Sequence, residues 1–580
     1  MKRSLVCSLS WSIAAISIFA LGLASCTPEE RVFPTGGTGG SGGGGGSGGG
    51  GDGGGAMVCV PDSQEPCYTG PAPTLEVGIC KGGTRVCLPS GAGYSECGGE
   101  VVPQAENCLT PEDEACNGND PAECQTLADG WIKVVGPFGT LQTVHDVAVT
   151  STGDIIAVGS FADTLDFGTG PMASTGSSDI FIAKFDHLGN AIWAKRYGDA
   201  SAQSAFAVGI DSMGSIYVGG SLVGSADFDG IFLTSAGSND AFLAKLDPDG
   251  NVVWAKNFGD AATQFIRHIE ITKTNLIVVA GEFSGTLQFA PGAGGTHTAI
   301  GNGPDVFVAR FDGSGFHSAS RTFGGMLTES VRGMALDSTD RVYITGGFED
   351  AVGFGGSSLA STGGRDAYVA AFSPTLIPQW GVGYGSSTGV TSLQEGYDIT
   401  ITPADQVWVS GGFVEGINFD GQKHFTNEPL SKGLFLARFD TAGTFTESFV
   451  YGGNAAPGAS AGTVAEARLA FDKTANQLVI AGAFTGLLDF GGNSMLVDSG
   501  ADPFLAKLGV EPLTHVASRT LHSDPAAVID NSNTLSTLAL LPMGDLIVGG
   551  FIRTPIIYGK GIVGDPDPKD GNAMLGRFIH

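Results

Sequence analysis

The stretch Asp179-Ile-Phe-Ile-Ala-Lys-Phe-Asp186 decides the fold, because it returns along the chain with small changes. Strong copies are Asp240-Ala-Phe-Leu-Ala-Lys-Leu-Asp247 and Asp305-Val-Phe-Val-Ala-Arg-Phe-Asp312, and weaker ones are 366–372, 434–440, 502–508 and 573–578. Seven copies at intervals of roughly sixty to seventy residues indicate a repeat architecture, in which each unit buries its apolar faces against its neighbours.

Each repeat contains four short segments with the composition of β-strands. In the second repeat these segments are Ala205–Ile210, Ser215–Gly220, Ala241–Leu246 and Val252–Phe258. They are rich in β-branched and aromatic residues and end at turn formers, such as the hairpin turn Asp247-Pro-Asp-Gly-Asn251. Four antiparallel strands repeated seven times predict an all-β protein, a seven-bladed β-propeller of four-stranded blades over residues 131–580.

The two ends of the repeat region predict how the ring closes. The opening segment 131–139 matches the fourth strand type, as in Trp193–Gly198 and Trp254–Gly259, whereas the last repeat ends on the third type. We therefore expect the first strand to complete the last blade, which leaves no open sheet edge. A β-solenoid is the alternative, but it would not need this permuted boundary.

The repeats resemble the SBBP family of β-propeller repeats. The resemblance lies in the D-[AI]-F-[LIV]-A-[KR]-[FL]-D strand, the V-V-W-A-K-x-F-G strand and the I-Y-V-G-G-type strand around Gly220. It covers about 450 residues of this chain. The last repeat departs most, with Met574 and Gly576 at positions of an aromatic residue and an alanine. The resemblance implies the fold but no single activity.

The N-terminus has the features of a lipoprotein signal. Lys2 and Arg3 precede an apolar run over 5–23, and Leu23-Ala24-Ser25-Cys26 resembles a lipobox. We predict a signal peptide at 1–25 and lipid on Cys26, with an ordinary secretory signal as the alternative. Thr27, and not an aspartate, follows the cysteine, and this pattern resembles that of lipoproteins exported to the outer membrane. The expected location is the cell envelope, lipid-anchored at the outer membrane, on its periplasmic face or at the cell surface.

Two segments separate the predicted anchor from the repeats. Residues 26–56 are largely glycine and predict a flexible tether. Residues 57–128 form a predicted cysteine-rich module, in which eight cysteines indicate four disulfides. These cysteines are Cys59, Cys67, Cys80, Cys87, Cys97, Cys108, Cys116 and Cys124. Their pairing stays open, and a zinc site is the weaker alternative because the segment has no CxxC pair and no histidine.

Net charge and motifs limit the partners. The chain carries a net charge of −30, which argues against nucleic acid and against docking of the folded parts on anionic lipids. We expect no metal and no cofactor, although the acidic segment 112–120 and the Asp-Gly turns leave Ca²⁺ as an alternative. The Asp-Phe-Gly triplets, as at 166–168, are interpreted as packing and turn. No catalytic motif is evident, so no catalytic residue is assigned.

One set of residues predicts a binding site. Counting back a fixed distance from the second-strand glycine of each repeat reaches positions near the start of the innermost strands. The candidate ligand-binding residues there are His145, Arg267, His268, Arg332, Tyr397 and Arg468, together with Phe206. Ring closure would gather them at one mouth of the channel, where they would bind an anionic or carbohydrate-like ligand or a partner's acidic side chain. The alternative is that they pair with local carboxylates such as Asp146 and Asp398.

Three functions follow from these features. The favoured one is a non-enzymatic, lipid-anchored envelope protein whose propeller is a binding scaffold for a protein or carbohydrate. The alternative from another class is a lyase or glycan-processing enzyme acting at the channel mouth. A purely structural role in the envelope is the third.

Overall fold

The computed structural model describes the cysteine-rich module in part and most of the repeat region. The described residues are 58–69, 75, 79–102, 127–136, 141–292, 294–355, 358–386, 392–426, 431–452, 463–492, 495–523, 533–558, 561–563 and 572–579. Within these ranges no helix forms, and hence none that is long and apolar enough to cross a membrane. The predicted signal peptide, Cys26 and the glycine-rich tether lie outside the described residues, and the predicted domain limits stay predictions.

The chain divides into two compact units, one formed by Met1–Glu65 and Arg85–Glu96, the other by Pro66–Thr84 and Cys97–His580. The first unit contains the disulfide Cys59–Cys87, and the guanidinium of Arg85 lies 4.4 Å from the ring centre of Tyr94. Short strands span Gln64–Cys67 and Gly83–Val86.

The disulfide prediction is confirmed for the cysteines that the structure describes. The second unit contains the disulfide Cys67–Cys97, and Cys80 is disulfide-bonded as well. Because these cysteines are oxidised, they are not zinc ligands. Cys108, Cys116 and Cys124 lie outside the described residues.

The repeat region of the second unit is a seven-bladed propeller of four-stranded antiparallel sheets, which confirms the predicted fold class. From the channel outward, blade 1 consists of Gln142–Val149, Ile155–Phe161, Asp179–Phe185 and Ala191–Tyr197, and blade 2 of Gln203–Ile210, Ile216–Leu222, Asp240–Leu246 and Val252–Phe258. In the same order, blade 3 consists of Gln264–Ile271, Ile277–Phe283, Asp305–Phe311 and His317–Phe323, and blade 4 of Glu329–Leu336, Val342–Phe348, Asp366–Phe372 and Pro378–Tyr384. Blade 5 consists of Gln394–Ile401, Val407–Val414, Lys432–Phe439 and Phe445–Tyr451, and blade 6 of Thr463–Asp472, Gln477–Leu488, Met495–Val510 and Leu513–Thr520. Blade 7 consists of Thr534–Leu540, Leu546–Ile552, Asn572–Ile579 and Ala128–Val135.

Small two-stranded hairpins connect the second and third strands of six blades. Their strands are Thr164–Leu165 and Met172–Ala173, Ser225–Phe228 and Ile231–Thr234, Thr286–Gln288 and Thr296–Thr298, Ala351–Gly353 and Ser358–Ala360, Gly416–Phe419 and Gln422–Phe425, and Ile556–Tyr558 and Gly561–Val563. In blade 6 the second and third strands themselves continue into this hairpin, where Gly486 pairs with Val497.

The first described strand of the repeat region closes the ring. Ala128–Val135 pairs antiparallel with Asn572–Ile579, so that Trp131 faces Arg577 and Val134 faces Met574. Blade 7 therefore combines strands from both ends of the region. The same strand also contacts blade 1, since the indole Nε1 of Trp131 donates to the carbonyl of His187 at 3.2 Å.

Tryptophans on the fourth strands of several blades contact the next blade, although Nε1 of Trp193 has no hydrogen-bond partner among the described residues. Trp254 Nε1 donates to the carbonyl of Gly313, and Trp380 Nε1 donates to that of Thr441, at 3.2 and 3.0 Å. Both carbonyls lie in the turn after the third strand of the following blade. Trp254 and Trp380 are therefore contacts between blades, each with a hydrogen-bond partner for its polar edge.

The Asp-Phe-Gly triplets are packing and turn, as predicted. Phe167 is buried and packs against Phe181 with ring centres 5.2 Å apart. The carboxylate Oδ1 of Asp166 accepts the backbone N–H of Gly168 at 2.7 Å, which closes the turn.

Buried polar side chains mark four consecutive blade junctions. The third strand of one blade starts with Asp and the first strand of the next starts with Gln or Glu; the pairs are Asp179 and Gln203, Asp240 and Gln264, Asp305 and Glu329, and Asp366 and Gln394. Gln264 Nε2 donates to Asp260 Oδ1 and to the carbonyl of Ser284, both at 2.9 Å. Its Oε1 and Asp240 Oδ1 are buried without a hydrogen-bond partner among the described residues.

A glycine makes room for these oxygens. A Cβ on Gly259 would lie 2.7 Å from Asp240 Oδ1 and closer still to Gln264 Oε1. The glycine that ends the recurring W-A-K-x-F-G strand is therefore required by the side chains of two blades.

We expect Gly259→Ala to lower the free energy of unfolding by about 2 kcal/mol or more, because the added methyl group would clash with two buried oxygen atoms. Denaturant unfolding followed by tryptophan fluorescence measures the change. Gly353→Ala is the matched control, since a Cβ there meets nothing within 4 Å, and it should change stability little. Equal stability of the two variants would show that the junction is not tightly packed.

The junction between blades 3 and 4 differs from the others because it contains two carboxyl groups. Burial raises the pKa of Glu329 to about 8, and the nearby charge of Asp305 raises it further despite the hydrogen bond from Gly325 N. Burial likewise raises the pKa of Asp305 to about 6. The folded state therefore retains protons that the unfolded chain releases, so the free energy of unfolding falls as pH rises from about 4 to 8.

Glu329→Gln restores the amide found at the neighbouring junctions and removes this carboxyl repulsion. We expect the variant to exceed the wild type in free energy of unfolding by about 2 kcal/mol at pH 8.5, since one pKa unit corresponds to about 1.4 kcal/mol. The advantage should shrink toward pH 5, where the wild-type Glu329 is protonated. Urea unfolding across this range tests it, and parallel pH profiles of the two proteins would contradict it.

Candidate functional site: the central channel

The first strands of the blades line a central cavity of about 470 Å³. Each of these strands runs from the connection that enters its blade to the turn before its second strand. Equivalent positions therefore lie at the same depth, with about 3.3 Å between successive residues. Depth along the channel can thus be read from the register of each first strand.

A β-bulge in the first strand places most of the predicted site residues. In blades 1 to 5 and 7 the register shifts by one residue, and the extra residues are His145, Phe206, Arg267, Arg332, Tyr397 and Ser536. In blade 6 the shift comes earlier, between Val464 and Glu466. Arg468 consequently pairs with Ala481, as His268 pairs with Ala280, one level deeper than the bulge residues.

At the level of the bulges, the blade 1 to 3 side of the channel is aromatic and cationic. His145 contacts the ring of Phe206 edge-on at 5.1 Å. The guanidinium of Arg267 lies 4.7 Å from the ring centre of Phe206 and 4.4 Å from that of Phe265. The rings of Phe206 and Phe265 are half-buried, so this cluster offers both a charge and apolar faces.

On the side of the channel formed by blades 4 and 5, the two candidate residues differ in their exposure. Arg332 is the most exposed candidate arginine, with 45% of its side chain accessible, and its Nε donates to Glu395 at 3.1 Å. Tyr397, by contrast, is 5% exposed and packs into the hydrophobic core between blades 5 and 6. The structure therefore does not place the Tyr397 ring with the other candidates.

Arg468 spans part of the channel. Its Nη1 donates to the carbonyls of Arg332 at 3.1 Å and of Tyr397 at 3.4 Å, and its Nη2 lies 3.6 Å from Glu466. Because these partners belong to blades 4, 5 and 6, Arg468 has a structural role in addition to its charge.

The candidate arginines do have carboxylate partners, but these are not Asp146 and Asp398. Arg267 pairs with Glu282 at 3.4 Å, and the other two arginines pair with Glu395 and Glu466. Asp146 Oδ2 instead accepts the N–H of Val208, and Asp398 Oδ2 accepts that of Leu469, at 2.9 and 2.8 Å. The two aspartates thus connect blade 1 to blade 2 and blade 5 to blade 6.

The two candidate histidines are uncharged at neutral pH. Burial and the field of Arg267 lower the pKa of His145 to about 4. Burial, with the charges of Arg468, Arg267 and Arg332, lowers the pKa of His268 to about 3. The two histidines therefore contribute no positive charge to the mouth at neutral pH.

The pKa values of the acidic groups in the channel are raised, whereas those of the two histidines are lowered. Burial raises the pKa values of Asp146 and Asp398 to about 6 each, although the charge of Arg468 opposes the shift in both. Burial raises the pKa of Glu270 to about 8, and the charges of Asp146 and Asp398 add to this shift.

Glu270 was missed by the sequence analysis although a signal was present. It is the ionisable residue at a depth where the other blades have small or neutral side chains; these are Ala148, Gly209, Ala335, Thr400, Ala470 and Ala539. Aligning the repeats by register rather than by counting back to the bulge would have found it.

Among the described residues, no group of three or more His, Cys, Asp or Glu side chains could hold a metal ion. In the Asp-Gly turns, Asp247 Oδ1 accepts the N–H groups of Asp249 and Asn251 at 3.0 and 2.8 Å. These carboxylates act as turn caps, and cofactor content stays a prediction.

Seven four-stranded blades around a lined channel define the protein as a β-propeller, a fold that commonly serves as an interaction scaffold. No protein-family model matches the chain, so its resemblance to SBBP repeats stays a prediction.

Two curated proteins are similar in sequence over part of their length. Regulatory protein FlaEY of Caulobacter vibrioides is 24% identical over 270 residues, which cover 43% of this chain and 27% of the relative. An uncharacterized WD repeat-containing protein of Acanthamoeba polyphaga mimivirus, L264, is 23% identical over 225 residues, covering 35% and 16%. The chain thus spans a minor part of both relatives.

Solved structures show likeness of fold alone. A chain of the mitotic checkpoint complex has a TM-score of 0.36 at 8% identity, covering 78% of this chain and 92% of that one. YCF48 bound to D1 peptide has a TM-score of 0.34 at 9% identity, covering 78% and 98%. The α-L-arabinanase of Penicillium chrysogenum has a TM-score of 0.33 at 12% identity, covering 77% and 96%.

Proposed function

We propose that the protein is a lipid-anchored scaffold of the bacterial cell envelope, whose propeller binds an acidic carbohydrate at the arginine-bearing mouth of its channel. The observation that supports this most directly is the cluster of Arg267, Phe206 and Phe265, with Arg332 exposed nearby. Guanidinium groups bind carboxylates by paired hydrogen bonds, and half-buried aromatic faces pack against sugar rings.

The contacts within the mouth allow such binding. Arg267 and Arg332 each have one glutamate partner, at 3.4 and 3.1 Å, and both keep part of their side chain exposed. A guanidinium has five N–H donors, so one carboxylate partner leaves others for a ligand. The ion pairs also hold the arginines in place before a ligand arrives, which reduces the entropy lost on binding.

The enzyme alternative is not favoured. Asp146 and Asp398 face the cavity, but each accepts two backbone N–H groups and so joins neighbouring blades. Their carboxylates are engaged by the fold, whereas a general acid or base must be free to exchange a proton with substrate. A binding role needs no such freedom.

The double variant Arg267→Gln, Arg332→Gln tests the mouth while Arg468 and its structural hydrogen bonds remain. We expect oligogalacturonate to raise the melting temperature of the wild type and to bind the double variant at least about tenfold more weakly, because two charge-assisted contacts are lost. The control Lys81→Gln, Lys473→Gln removes two exposed cations elsewhere and should respond like the wild type.

Two further probes identify the kind of ligand. A neutral oligosaccharide should bind weakly, and a glutamate-rich peptide that outcompetes oligogalacturonate would move the assignment to a partner's acidic side chain. An unchanged response of the double variant to every probe would refute the arginine mouth as the site.

Lipid anchoring through Cys26 has its own test. Cells fed an alkyne-tagged fatty acid should label the wild-type protein, which should sediment with membranes. Cys26→Ala should lose both the label and the sedimentation, because the acceptor thiol is gone. Cys7→Ala, within the predicted signal peptide, is the control and should keep both. A wild-type protein without label would exclude the anchor.

A further inference from the structure

Glu270 occupies an unusual place in the channel. Its first strand is that of blade 3, and its side chain lines the central cavity two residues deeper than His268. At about 3.3 Å per residue this places it about 7 Å below the level of His268. Among the described residues, Glu270 makes no hydrogen bond and no ion pair, and only burial and the charges of Asp146 and Asp398 act on it.

The space beside Glu270 exists because the other blades leave it open. At its depth the remaining first strands carry small or short side chains, including Ala148, Ala335, Ala470 and Thr400, all of which line the same cavity. Well-packed interiors rarely leave so much room next to a carboxyl group. A cavity of about 470 Å³ is within the range of small-molecule sites.

The charges around this space favour a cation. Asp146 and Asp398 are bound by backbone N–H groups and face Glu270 from blades 1 and 5. Arg468 is the nearby cation, but it is bound to two carbonyls and to Glu466. Because His268 is neutral, the cavity is lined by three carboxyl groups and two guanidinium groups, of which that of Arg267 lies three residues above Glu270 and pairs with Glu282.

From this geometry we propose that the channel binds a small organic ammonium ion, with the Glu270 carboxylate as its anionic contact and the neighbouring small side chains as its enclosure. An ammonium group brings three donors to acceptors that otherwise lack them. A small anion would be repelled by the carboxylates, and a metal ion would find no group of three ligands among the described residues. The site lies in the same cavity as the arginine mouth but deeper, three residues below Arg267 on the same strand, and it is distinct from the lipid anchor.

Binding should release a proton at neutral pH. With its pKa near 8, Glu270 is mostly protonated at pH 7, where Asp146 and Asp398 are largely ionised, His268 is neutral and Arg468 is charged. An ammonium ion that arrives already charged drives the proton from Glu270 to the buffer. Calorimetry should therefore detect close to one proton released per ligand at pH 7 and close to none at pH 9.5, where Glu270 is ionised beforehand.

The test is isothermal titration of the full chain in detergent micelles with n-butylamine, n-butanol and butyrate, which share their length and differ in charge. At pH 7 we use phosphate and MOPS buffers, whose ionisation enthalpies differ and which contain no primary ammonium ion. We expect n-butylamine to bind at least about tenfold more tightly than the other two compounds and to release a proton, because only it supplies an ionic partner.

Variants assign the effect to Glu270. Glu270→Gln keeps the size of the side chain and removes its charge, so n-butylamine binding and proton release should both be lost. Ala470→Leu keeps Glu270 and fills the space beside it, and it should also prevent binding; melting curves confirm that each variant is folded. Asp249→Asn, at an exposed turn, is the charge-matched control and should bind as the wild type does.

Two results would overturn the proposal: equal binding of n-butanol and n-butylamine, or undiminished binding by a folded Glu270→Gln protein. The mouth variant Arg267→Gln, Arg332→Gln should retain the n-butylamine response. Loss of oligogalacturonate binding alone therefore bears on the proposed function and leaves this site intact, and the reverse holds for loss of n-butylamine binding.

Discussion

The rest of the structure depends on the antiparallel pairing of Ala128–Val135 with Asn572–Ile579. A blade has two apolar faces, and only a closed ring covers both faces of all seven blades. Without this pairing, blade 7 would have three strands and an open edge, and blade 1 would lose the contact between Trp131 and His187. The interaction that closes the sheet thus also completes the packing of the neighbouring blades.

Polar contacts between blades explain why the same residues recur in successive repeats. Trp254 and Trp380 reach the turns of the following blades, and Gly259 leaves room for the buried oxygens of Asp240 and Gln264. Each of these residues acts across a junction, so one substitution affects two sheets. Because these contacts at the blade junctions stabilise the ring, residues on the first strands can differ between blades without loss of the fold. The channel can therefore acquire charged groups of its own.

The sequence predicted the fold well and the site only in part, for a physical reason. Strand types recur at each repeat, so their number, order and closing segment were visible in the pattern. Depth in the channel depends instead on local register. A fixed count finds the bulge residues His145, Arg267 and Arg332, but the earlier bulge of blade 6 moves Arg468 one level deeper. Tyr397 holds a bulge position yet its ring turns into the core, which spacing alone cannot show. Glu270 lies beyond the counted position and was overlooked.

The charged side chains of the channel change with depth, which the overall composition of the chain does not show. Arg267 and Arg332 lie at the bulge level, each with a glutamate, and Arg468 lies one level deeper together with Asp146 and Asp398. Glu270 lies two residues below that level. These groups act on one another: the charge of Arg468 opposes the rise in the pKa values of the two aspartates, and the charges of the aspartates contribute to the raised pKa of Glu270. From the mouth inward, the channel therefore presents two arginines first, then Arg468 together with Asp146 and Asp398, and then Glu270. Under the two proposals, this arrangement would separate ligands by depth, because an anion would be held by the arginines of the mouth and a cation would be stabilised beside Glu270, beyond them.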